Sequence, residues 1–438
     1  MRSLLQLIFP RYWPLEEEFK KRESFMSLSK TDRDYIRLRK LNERWLKAQN
    51  NSKYYQRIKK KHNLPETFSS IEEYISLMPI TTKNAVSRHP KHFLLNGHAR
   101  GKWMSTGGST GIPTRVYWKL KGHLESLRDQ YWARMWWGVD PFDKQAMIWG
   151  HSHTFGHGMI GTYHRLMVPI TDKARRRMRL SAYQIDESSL RRYYDKIDAF
   201  QPASLYAYSS AAFLLAMANS DRPPLGKTLK AAFLAAEPIL PQHRKIIDQI
   251  LRCPAVGEYG SIECGMIAYE HPSGGYHIFE NSVLVDTSKN PSGGYDLIVT
   301  QLRDSHFPLF RYQIGDMTAK EIERGNNGRE ILGEIKGRTH DFLRTPSGRF
   351  CHGEMITHCI EQLSDILIFN VHQRRDFRII ITITTNDSKP LSLKKENWLK
   401  TSIRTALCES ISIDLDYKPE LSRSIAGKHR WITTEFEQ

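Results

Sequence analysis

A glycine-rich stretch at residues 105–114, STGGSTGIPT, has the composition of a loop that wraps a phosphate group. Glycine lets backbone N–H groups come close to an anion, and hydroxyl side chains add further donors. The stretch lacks the GxxxxGK[ST] spacing of a P-loop, and no lysine stands where it would reach the β- and γ-phosphates. The pattern therefore predicts phosphate binding and leaves open which residue supplies the positive charge.

Further segments carry side chains suited to a nucleotide site. They are LAAEP (234–238), EYGSIE (258–263), FPLFRYQIGD (307–316), GEIKGRTHDFL (333–343) and SRSIAGKHR (422–430). Taken singly, each fits an ordinary structural role, with Tyr259 a core aromatic, Asp316 a turn residue and Lys428 a surface lysine. Their order along the chain favours one shared site.

The elements that would position these segments alternate between strands and helices up to about residue 263. Strands are predicted at RVYWKL, QAMIWG, SLYAYS, LKAAFLA and AVGEYG, with helical regions at 28–62, 122–137, 188–202 and 241–251. Such alternation is typical of an α/β fold with a largely parallel sheet.

The pattern changes after about residue 270. Short strands separated by Gly and Asn turns predict an antiparallel or small barrel-like sheet, and the tail beyond Arg338 predicts a small α+β domain. A chain of 438 residues is too long for one core. We therefore predict a large domain over residues 1–338 and a small one over residues 339–438.

The composition is that of a globular protein with a formal charge of +18. This charge favours acidic partners such as nucleotides, anionic sugars, nucleic acid or a membrane surface, although a basic surface without a specific partner fits equally well. The basic runs at 57–62 and 173–179 lack the interleaved aromatics of a single-strand platform, and no recognition module for nucleic acid is present. We predict no nucleic-acid partner.

The five cysteines form no CxxC pair, which favours buried thiols in a reducing compartment and hence a cytoplasmic protein. Cys264, His271 and His277 are alternative metal ligands, but a structural thiol with two surface imidazoles is the favoured interpretation. No apolar run of about 18 residues exists, so no membrane-spanning segment is predicted. The apolar residues Leu4, Leu5, Leu7, Ile8 and Phe9 would pack on the domain or contact a membrane peripherally.

The ordered motifs resemble those of the adenylate-forming superfamily, and most closely its branch of phenylacetate–CoA ligase-like and capsular-polysaccharide biosynthesis proteins. TGGSTGIP is similar to the phosphate loop of that branch, AAEP to its adenine loop and YGSIE to its aromatic–Gly–hydroxyl–x–Glu signature. FRYQIGD, GR at 337–338 and AGK resemble the ribose, hinge and C-terminal lysine motifs, and LMPITTK (77–83) the approach to the phosphate loop. The resemblance runs from about residue 70 to the end of the chain.

The resemblance implies an ATP-dependent ligase that forms an acyl-adenylate and pyrophosphate, with Mg²⁺ as cofactor. The β- and γ-phosphates would be held by Thr106, Gly107, Gly108, Ser109, Thr110 and Gly111. The adenine would lie against Ala236, Glu237, Pro238, Tyr259 and Gly260, with Ser261 at the α-phosphate. The remaining implied roles are metal binding by Glu263, ribose binding by Asp316 with Arg338 nearby, and catalysis by Lys428 on a mobile C-terminal lid.

The chain departs from the common pattern at the phosphate loop and at the hinge. Ile112 and Thr114 stand where the family usually has lysines, so phosphate neutralisation would depend on Mg²⁺ or Arg115. His340 replaces the acidic residue that usually serves as the hinge pivot.

The acceptor of the acyl group is open between an amine, as in cell-surface polysaccharide assembly, and the thiol of CoA. The basic surface and the altered hinge favour the amine. The histidine-rich stretch 151–164 would recognise a polar acid or form a loop with solvated imidazoles. A non-catalytic binding protein of the same fold is the remaining alternative, and the presence of Glu263, Asp316, Arg338 and Lys428 together argues against it.

Overall fold

The computed structural model describes residues 14–97, 100–105, 114–149, 167–182, 187–225, 228–290, 294–325, 328–338, 342–347, 350–352, 354–360, 362–407, 410–419, 421 and 431–436. The apolar N-terminal residues discussed above lie outside this part of the chain.

Helices at the N-terminus precede the glycine-rich stretch. They are α1 (Leu15–Ser27), α2 (Lys30–Asn51), α3 (Lys53–His62), α4 (Ile71–Leu77) and α5 (Lys83–Arg88). The side chain of Ser29 caps α2 by accepting from the backbone N–H of Asp32, and Thr82 caps α5 in the same way. The helical region predicted over 28–62 is confirmed as α2 and α3.

A nine-stranded sheet forms the centre of the large part of the molecule. Five of its strands run parallel in the order β4-β3-β5-β6-β7. These strands are β3 (Gln145–Trp149), β4 (Arg177–Ser181), β5 (Ser204–Tyr208), β6 (Ala231–Ala235) and β7 (Ala255–Ser261). Helices pack beside them: α6 (Leu120–Trp136), α7 (Glu187–Phe200), α8 (Ser209–Met217) and α9 (Pro241–Leu251). The predicted α/β fold with a largely parallel sheet is confirmed.

The same sheet continues in antiparallel fashion beyond β7. The added strands are β8 (Gly265–Glu270), β9 (Tyr276–Ile278), β14 (Glu330–Leu332) and β13 (Glu323–Arg324). Buried ion pairs tie α2 to this region, because Arg33 Nε lies 3.1 Å from Glu280 Oε2 and Arg37 Nη1 lies 2.8 Å from Glu330 Oε1.

A second, four-stranded antiparallel sheet follows the order β10-β11-β12-β15. Its strands are β10 (Val283–Lys289), β11 (Tyr295–Gln301), β12 (Tyr312–Thr318) and β15 (Ile335–Arg338). Asp316 is the fifth residue of β12. Asp316 therefore lies within a strand, where its backbone pairs with Arg338 on β15.

Two hairpins and a small C-terminal sheet complete the described residues. The hairpins are β1 (Gly101–Ser105) with β2 (Arg115–Lys119), and β16 (Phe342–Arg344) with β17 (Phe350–His352). The C-terminal sheet has the order β20-β19-β18-β21, with β18 (Ile366–Gln373), β19 (Ile379–Thr385), β20 (Ile413–Tyr417) and β21 (Ile432–Thr434). Helices α10 (Glu354–Ile360) and α11 (Leu393–Leu407) accompany it.

The residues after Leu343 share a hydrophobic cluster of their own, centred on Ile356, Phe369, Ile381 and Leu399. Trp431 belongs to this cluster, and its ring lies 5.4 Å from that of His243 on α9, which gives the C-terminal sheet a contact with the large part of the molecule. Among the described residues, no helix combines the length and the apolar character that a membrane crossing requires.

Candidate active site

The candidate site lies where β6 and β7 end. The carboxyl ends of parallel strands meet at one edge of a sheet, which is where open α/β folds bind their ligands. Directly after β6, Ala236 has a left-handed φ of +68° and is exposed. A non-glycine residue in this region stores strain, and such positions concentrate at functional sites. The geometry leaves the backbone of Ala236 accessible at the predicted adenine loop.

The carboxylate of Glu237 has a role that the sequence did not indicate. It is buried, and its Oε2 accepts a hydrogen bond of 2.9 Å from the backbone N–H of Ser210 in the first turn of α8. A carboxylate at a helix N-terminus satisfies an otherwise unpaired donor and interacts favourably with the helix dipole. This contact fixes the loop after β6 against α8.

Tyr259 and Asp316, both predicted to bind the nucleoside, are in direct contact. The Tyr259 hydroxyl donates a 2.8 Å hydrogen bond to Asp316 Oδ2, although the two residues are 57 positions apart and lie in different sheets. The backbone of Arg338 on β15 pairs with Asp316. The backbone of the predicted hinge-motif arginine therefore lies beside the predicted ribose ligand. Three of the sequence-predicted residues thus meet at one point.

Glu263, the predicted metal ligand, is held in a turn immediately after β7. Its side chain is 4 % exposed, and Oε1 accepts a 3.2 Å hydrogen bond from the Tyr312 hydroxyl. Its backbone oxygen accepts from Gln301 Nε2 at 2.7 Å. Burial and the neighbouring Glu263 carboxylate both raise the pKa of Tyr312, so the phenol stays protonated and remains a donor.

Two further hydrogen bonds hold the turn that contains Glu263. Ser261 Oγ accepts from the backbone N–H of Cys264 at 3.0 Å, and Trp118 Nε1 on β2 donates to the backbone oxygen of Ile262 at 2.6 Å. A Cβ on Gly260 would stand 2.6 Å from the backbone oxygen of Gly265, so the close approach of β7 and β8 requires glycine there. The hairpin that carries the glycine-rich stretch is therefore linked to the Glu263 turn.

A single buried carboxylate suits Mg²⁺ better than a transition metal. Mg²⁺ usually keeps water and phosphate ligands and takes only one or two carboxylates from the protein. The part of the chain that the structure describes contains no group of three His, Cys, Asp or Glu side chains that would hold a metal ion. Glu263 thus fits the role predicted for it, that of a single protein ligand to Mg²⁺.

Cys264, His271 and His277 do not form the alternative metal site. Cys264 is a buried free thiol, whereas the rings of His271 and His277 stack at 4.4 Å. The expectation of two surface imidazoles is wrong for His277, which is 5 % exposed. Burial, together with His271 and Arg329, lowers its pKa to about 4.

The segment LMPITTK is joined to the site by backbone pairing. Thr81 pairs with Tyr312: its N–H donates to the Arg311 oxygen at 2.8 Å and its oxygen accepts from the Gln313 N–H at 3.0 Å. This pairing brings Lys83 to the site, where its Nζ lies 3.8 Å from Glu263 Oε1. The sequence alone assigned no role to Lys83.

The two ends of the phosphate loop are anchored side by side. Ser105 pairs with Arg115 across the β1–β2 hairpin, and the buried Thr114 shares a 2.9 Å hydrogen bond with the hydroxyl of Ser87 on α5. The predicted phosphate ligands Thr106, Gly107, Gly108, Ser109, Thr110 and Gly111 lie outside the described residues, as do His340, Lys428 and the stretch 151–164.

Behind β7 lies a buried network of charged and aromatic side chains that the sequence did not predict. Arg134 Nη2 lies 3.3 Å from Glu258 Oε2, and the Tyr206 hydroxyl donates to Glu258 Oε1 at 3.0 Å. The Arg134 guanidinium lies 4.8 Å from the centre of the Tyr206 ring. Burial opposes the charge on Arg134, but the attraction of its neighbours is stronger and raises its pKa. The only signal in the sequence was an acidic residue inside an otherwise apolar strand.

We compared the chain with known proteins by sequence and by structure. The chain matches no protein-family model. It is 24% identical over 396 residues to Protein CapK of Staphylococcus aureus, an alignment that covers 87% of this chain and 84% of CapK.

Among solved structures, 2-hydroxyisobutyryl-CoA ligase in the postadenylation state, in complex with R3-HIB-AMP, aligns with a TM-score of 0.72 at 16% identity and covers 94% of this chain and 91% of that chain. The anthranilate CoA ligase AuaEII in complex with anthranoyl-AMP aligns with a TM-score of 0.52 at 13% identity over 74% of this chain and 64% of that one. The chain therefore has the fold of the adenylate-forming acid–CoA ligases. The predicted resemblance to this superfamily is confirmed at the level of the fold.

Proposed function

We propose that this protein activates a carboxylic acid with ATP. A carboxylate oxygen attacks the α-phosphorus, the bond from that phosphorus to the bridging oxygen of pyrophosphate breaks, and acyl-adenylate and pyrophosphate result. The observation that carries the proposal is the Tyr259–Asp316 hydrogen bond beside the Glu263 turn, in a chain with the fold of adenylate-forming ligases. Little covalent chemistry is asked of the protein, because alignment and charge neutralisation supply most of the catalysis.

Each residue in the site has a role in this scheme. The Tyr259 ring stacks on the adenine beside the backbone of Ala236, and Asp316 accepts hydrogen bonds from the ribose hydroxyls. The Ser261 hydroxyl contacts the α-phosphate, and Glu263 holds Mg²⁺, which when bound neutralises phosphate charge. The glycine-rich loop holds the β- and γ-phosphates.

The test of this function is acid-dependent exchange of labelled pyrophosphate into ATP, measured over a library of carboxylic acids in the presence of Mg²⁺. We expect exchange with at least one acid, and its loss in Asp316→Ala, because the ribose then loses an acceptor. Tyr417→Phe, which removes a tyrosine–carboxylate hydrogen bond between β20 and α11, serves as a control that leaves the nucleotide site intact. Formation of ADP and phosphate instead of AMP and pyrophosphate would contradict the proposal.

The second half-reaction passes the acyl group to an amine in cell-surface polysaccharide assembly. The net charge of +18 and the histidine at the hinge position favour an amine on an amino sugar or amino acid as the acceptor. The thiol of CoA is the second candidate, since the solved structures of similar fold are CoA ligases. Mass spectrometry of the product distinguishes the two, because an amide and a thioester of the same acid differ in mass and only the thioester is cleaved by hydroxylamine. A cytoplasmic location agrees with the free, buried thiols of Cys253, Cys264 and Cys359.

Residues 339–438 form a lid in this proposal, and the lid turns about His340 between the half-reactions. Lys428 then stabilises charge that grows at the α-phosphate during adenylation only. Such a contact is worth roughly 3–4 kcal/mol. Lys428→Ala should therefore slow adenylate formation by roughly two to three orders of magnitude. Chemically supplied acyl-adenylate should still react with the acceptor at a near-normal rate.

His340→Pro should have the opposite effect, because proline fixes φ and prevents a backbone turn at that position. Adenylation survives if the frozen orientation is the adenylating one, and transfer to the acceptor is lost. Each half-reaction is measured separately on both variants. Equal losses in both halves for Lys428→Ala would refute the one-step role of the lysine and the turning lid together.

A further inference from the structure

The glycine-rich loop has no cation of its own for the phosphates of ATP. Its ten residues, 105–114, include neither lysine nor arginine. Arg115, which follows directly, places its guanidinium 5.5 Å from the centre of the Trp103 ring in the same hairpin. The hairpin arginine is thus engaged with an aromatic neighbour, and the charge on the phosphates calls for another partner.

Lys83 stands between the predicted metal ligand and the anchor of the loop. Its Nζ lies 3.8 Å from Glu263 Oε1. Ser87, four residues further along α5, shares its hydroxyl hydrogen bond with Thr114, the last residue of the loop. Residues four apart lie on the same face of a helix, with a rise of about 6 Å between them. One short helix therefore connects the Glu263 carboxylate with the end of the phosphate loop.

The position of Lys83 is fixed by its backbone and not by the contact of its ammonium group. The pairing of Thr81 with Tyr312 sets the start of α5 against β12, and Val86 on the same helix is fully buried. By contrast, 3.8 Å is longer than a hydrogen bond, so the ammonium is near Glu263 without being tightly held by it. The Lys83 side chain is 26% exposed, which leaves it reachable by a ligand.

We propose that Lys83 binds the β- and γ-phosphates of ATP and supplies the positive charge that the glycine-rich loop lacks. This inference rests on the proposed function, because it places the triphosphate beside Glu263. The ammonium is a compact charge with three donors on a flexible stem, which suits oxygen atoms that are distributed over two phosphates. In the absence of nucleotide it neutralises Glu263. With Mg²⁺-ATP bound, Glu263 would hold the metal, and the Lys83 ammonium would contact the phosphates and stabilise the leaving pyrophosphate.

The experiment measures nucleotide binding by calorimetry, with Mg²⁺ present and no acid added. Lys83→Met should weaken ATP binding about tenfold and leave AMP binding unchanged within about twofold, because AMP lacks the β- and γ-phosphates. Lys83→Arg should retain most of the ATP affinity. Lys91→Met removes an exposed lysine from the neighbouring turn and is the matched control, for which neither affinity should change.

A purely structural role for Lys83 gives a different result. If the lysine served only to neutralise Glu263, Lys83→Met would lower the thermal midpoint and affect ATP and AMP equally. The double variant Lys83→Met/Glu263→Gln would then restore the thermal midpoint. An unchanged ratio of ATP to AMP affinity in Lys83→Met overturns the inference. A wild-type protein that binds ATP but exchanges no pyrophosphate with any acid refutes the proposed function. In that case the ratio of ATP to AMP affinity in Lys83→Met still decides the role of Lys83. Failure of the wild type to bind ATP overturns both.

Discussion

Removing the hydroxyl of Tyr259 tests whether the contact with Asp316 organises the nucleotide site. Tyr259→Phe keeps the ring that is expected to stack on the adenine and deletes only the donor of the 2.8 Å hydrogen bond to Asp316 Oδ2. Tyr259 is 8% exposed, so the ring stays packed and no cavity larger than one oxygen atom forms. The substitution therefore isolates one hydrogen bond that joins two sheets.

The expected magnitude follows from the charge and burial of the two partners. A hydrogen bond to an ionised group contributes about 1.5–3 kcal/mol, and the lower end applies here because Asp316 is only half-buried. We expect a loss of about 1.5 kcal/mol in the free energy of AMP binding, which corresponds to roughly a tenfold weaker Kd. Asp316 then loses the donor that orients it toward the ribose, so ATP and AMP should be affected alike.

The assay is calorimetric titration of AMP and ATP into the wild type, Tyr259→Phe, Asp316→Asn and the double variant. Because the two single substitutions act through one contact, their effects should not add, and the double variant should resemble Asp316→Asn. Tyr417→Phe, which removes the 2.7 Å hydrogen bond from β20 to Glu396 on α11, controls for a general cost of losing such a bond. Unchanged affinity in Tyr259→Phe, or additive losses in the double variant, would refute the reasoning.

Three further substitutions test the surroundings of the site. Ala236→Gly should stabilise the fold by about 1 kcal/mol in chemical denaturation, because glycine adopts the φ of +68° without strain; a lowered midpoint would count against strain at this loop. The pKa of His277 is lowered to about 4, so the unfolded chain binds a proton that the folded chain does not, and stability is lost as the pH falls from 6.5 to 4. Over this range the wild type should lose about 3 kcal/mol more unfolding free energy than His277→Phe. Parallel pH profiles of the two proteins would contradict the lowered pKa of His277. Arg134→Met should cost about 3–5 kcal/mol of unfolding free energy, because the buried Glu258 carboxylate loses its cationic partner. Arg134→Met/Glu258→Gln should recover part of this cost, and no recovery would mean that the ion pair does not account for it.

Much of the α/β framework could be predicted from the sequence. The apolar runs that become β3, β5, β6 and β7 are short and continuous, as is typical of strands that are buried on both faces of a parallel sheet. Tyr259, Glu263 and Asp316 were identifiable as candidates because EYGSIE and FRYQIGD resemble motifs of the adenylate-forming superfamily. Hydrophobic periodicity and such motifs extend over a few residues, so no tertiary information was needed.

Other elements could not be predicted because their own residues do not determine them. The strand β1, Gly101–Ser105, has exposed or half-buried residues throughout and exists through its pairing with β2. The start of β12 at Tyr312 depends on the bridge to Thr81, which comes from a segment more than 200 residues earlier in the chain. Such strands are decided by their partners, since an unpaired strand gains too little from its own side chains.

The sequence by itself determined which residue types are available for a nucleotide site, and the tertiary structure alone decided which of them meet. The register of β12 between β11 and β15 brings Asp316 to the Tyr259 hydroxyl, and the pairing of Thr81 with Tyr312 brings Lys83 to Glu263. These contacts are non-local, and the order of strands in two separate sheets sets their distances. A shift by one residue would turn the side chains to the opposite face of the sheet, which no pattern within a single segment can reveal.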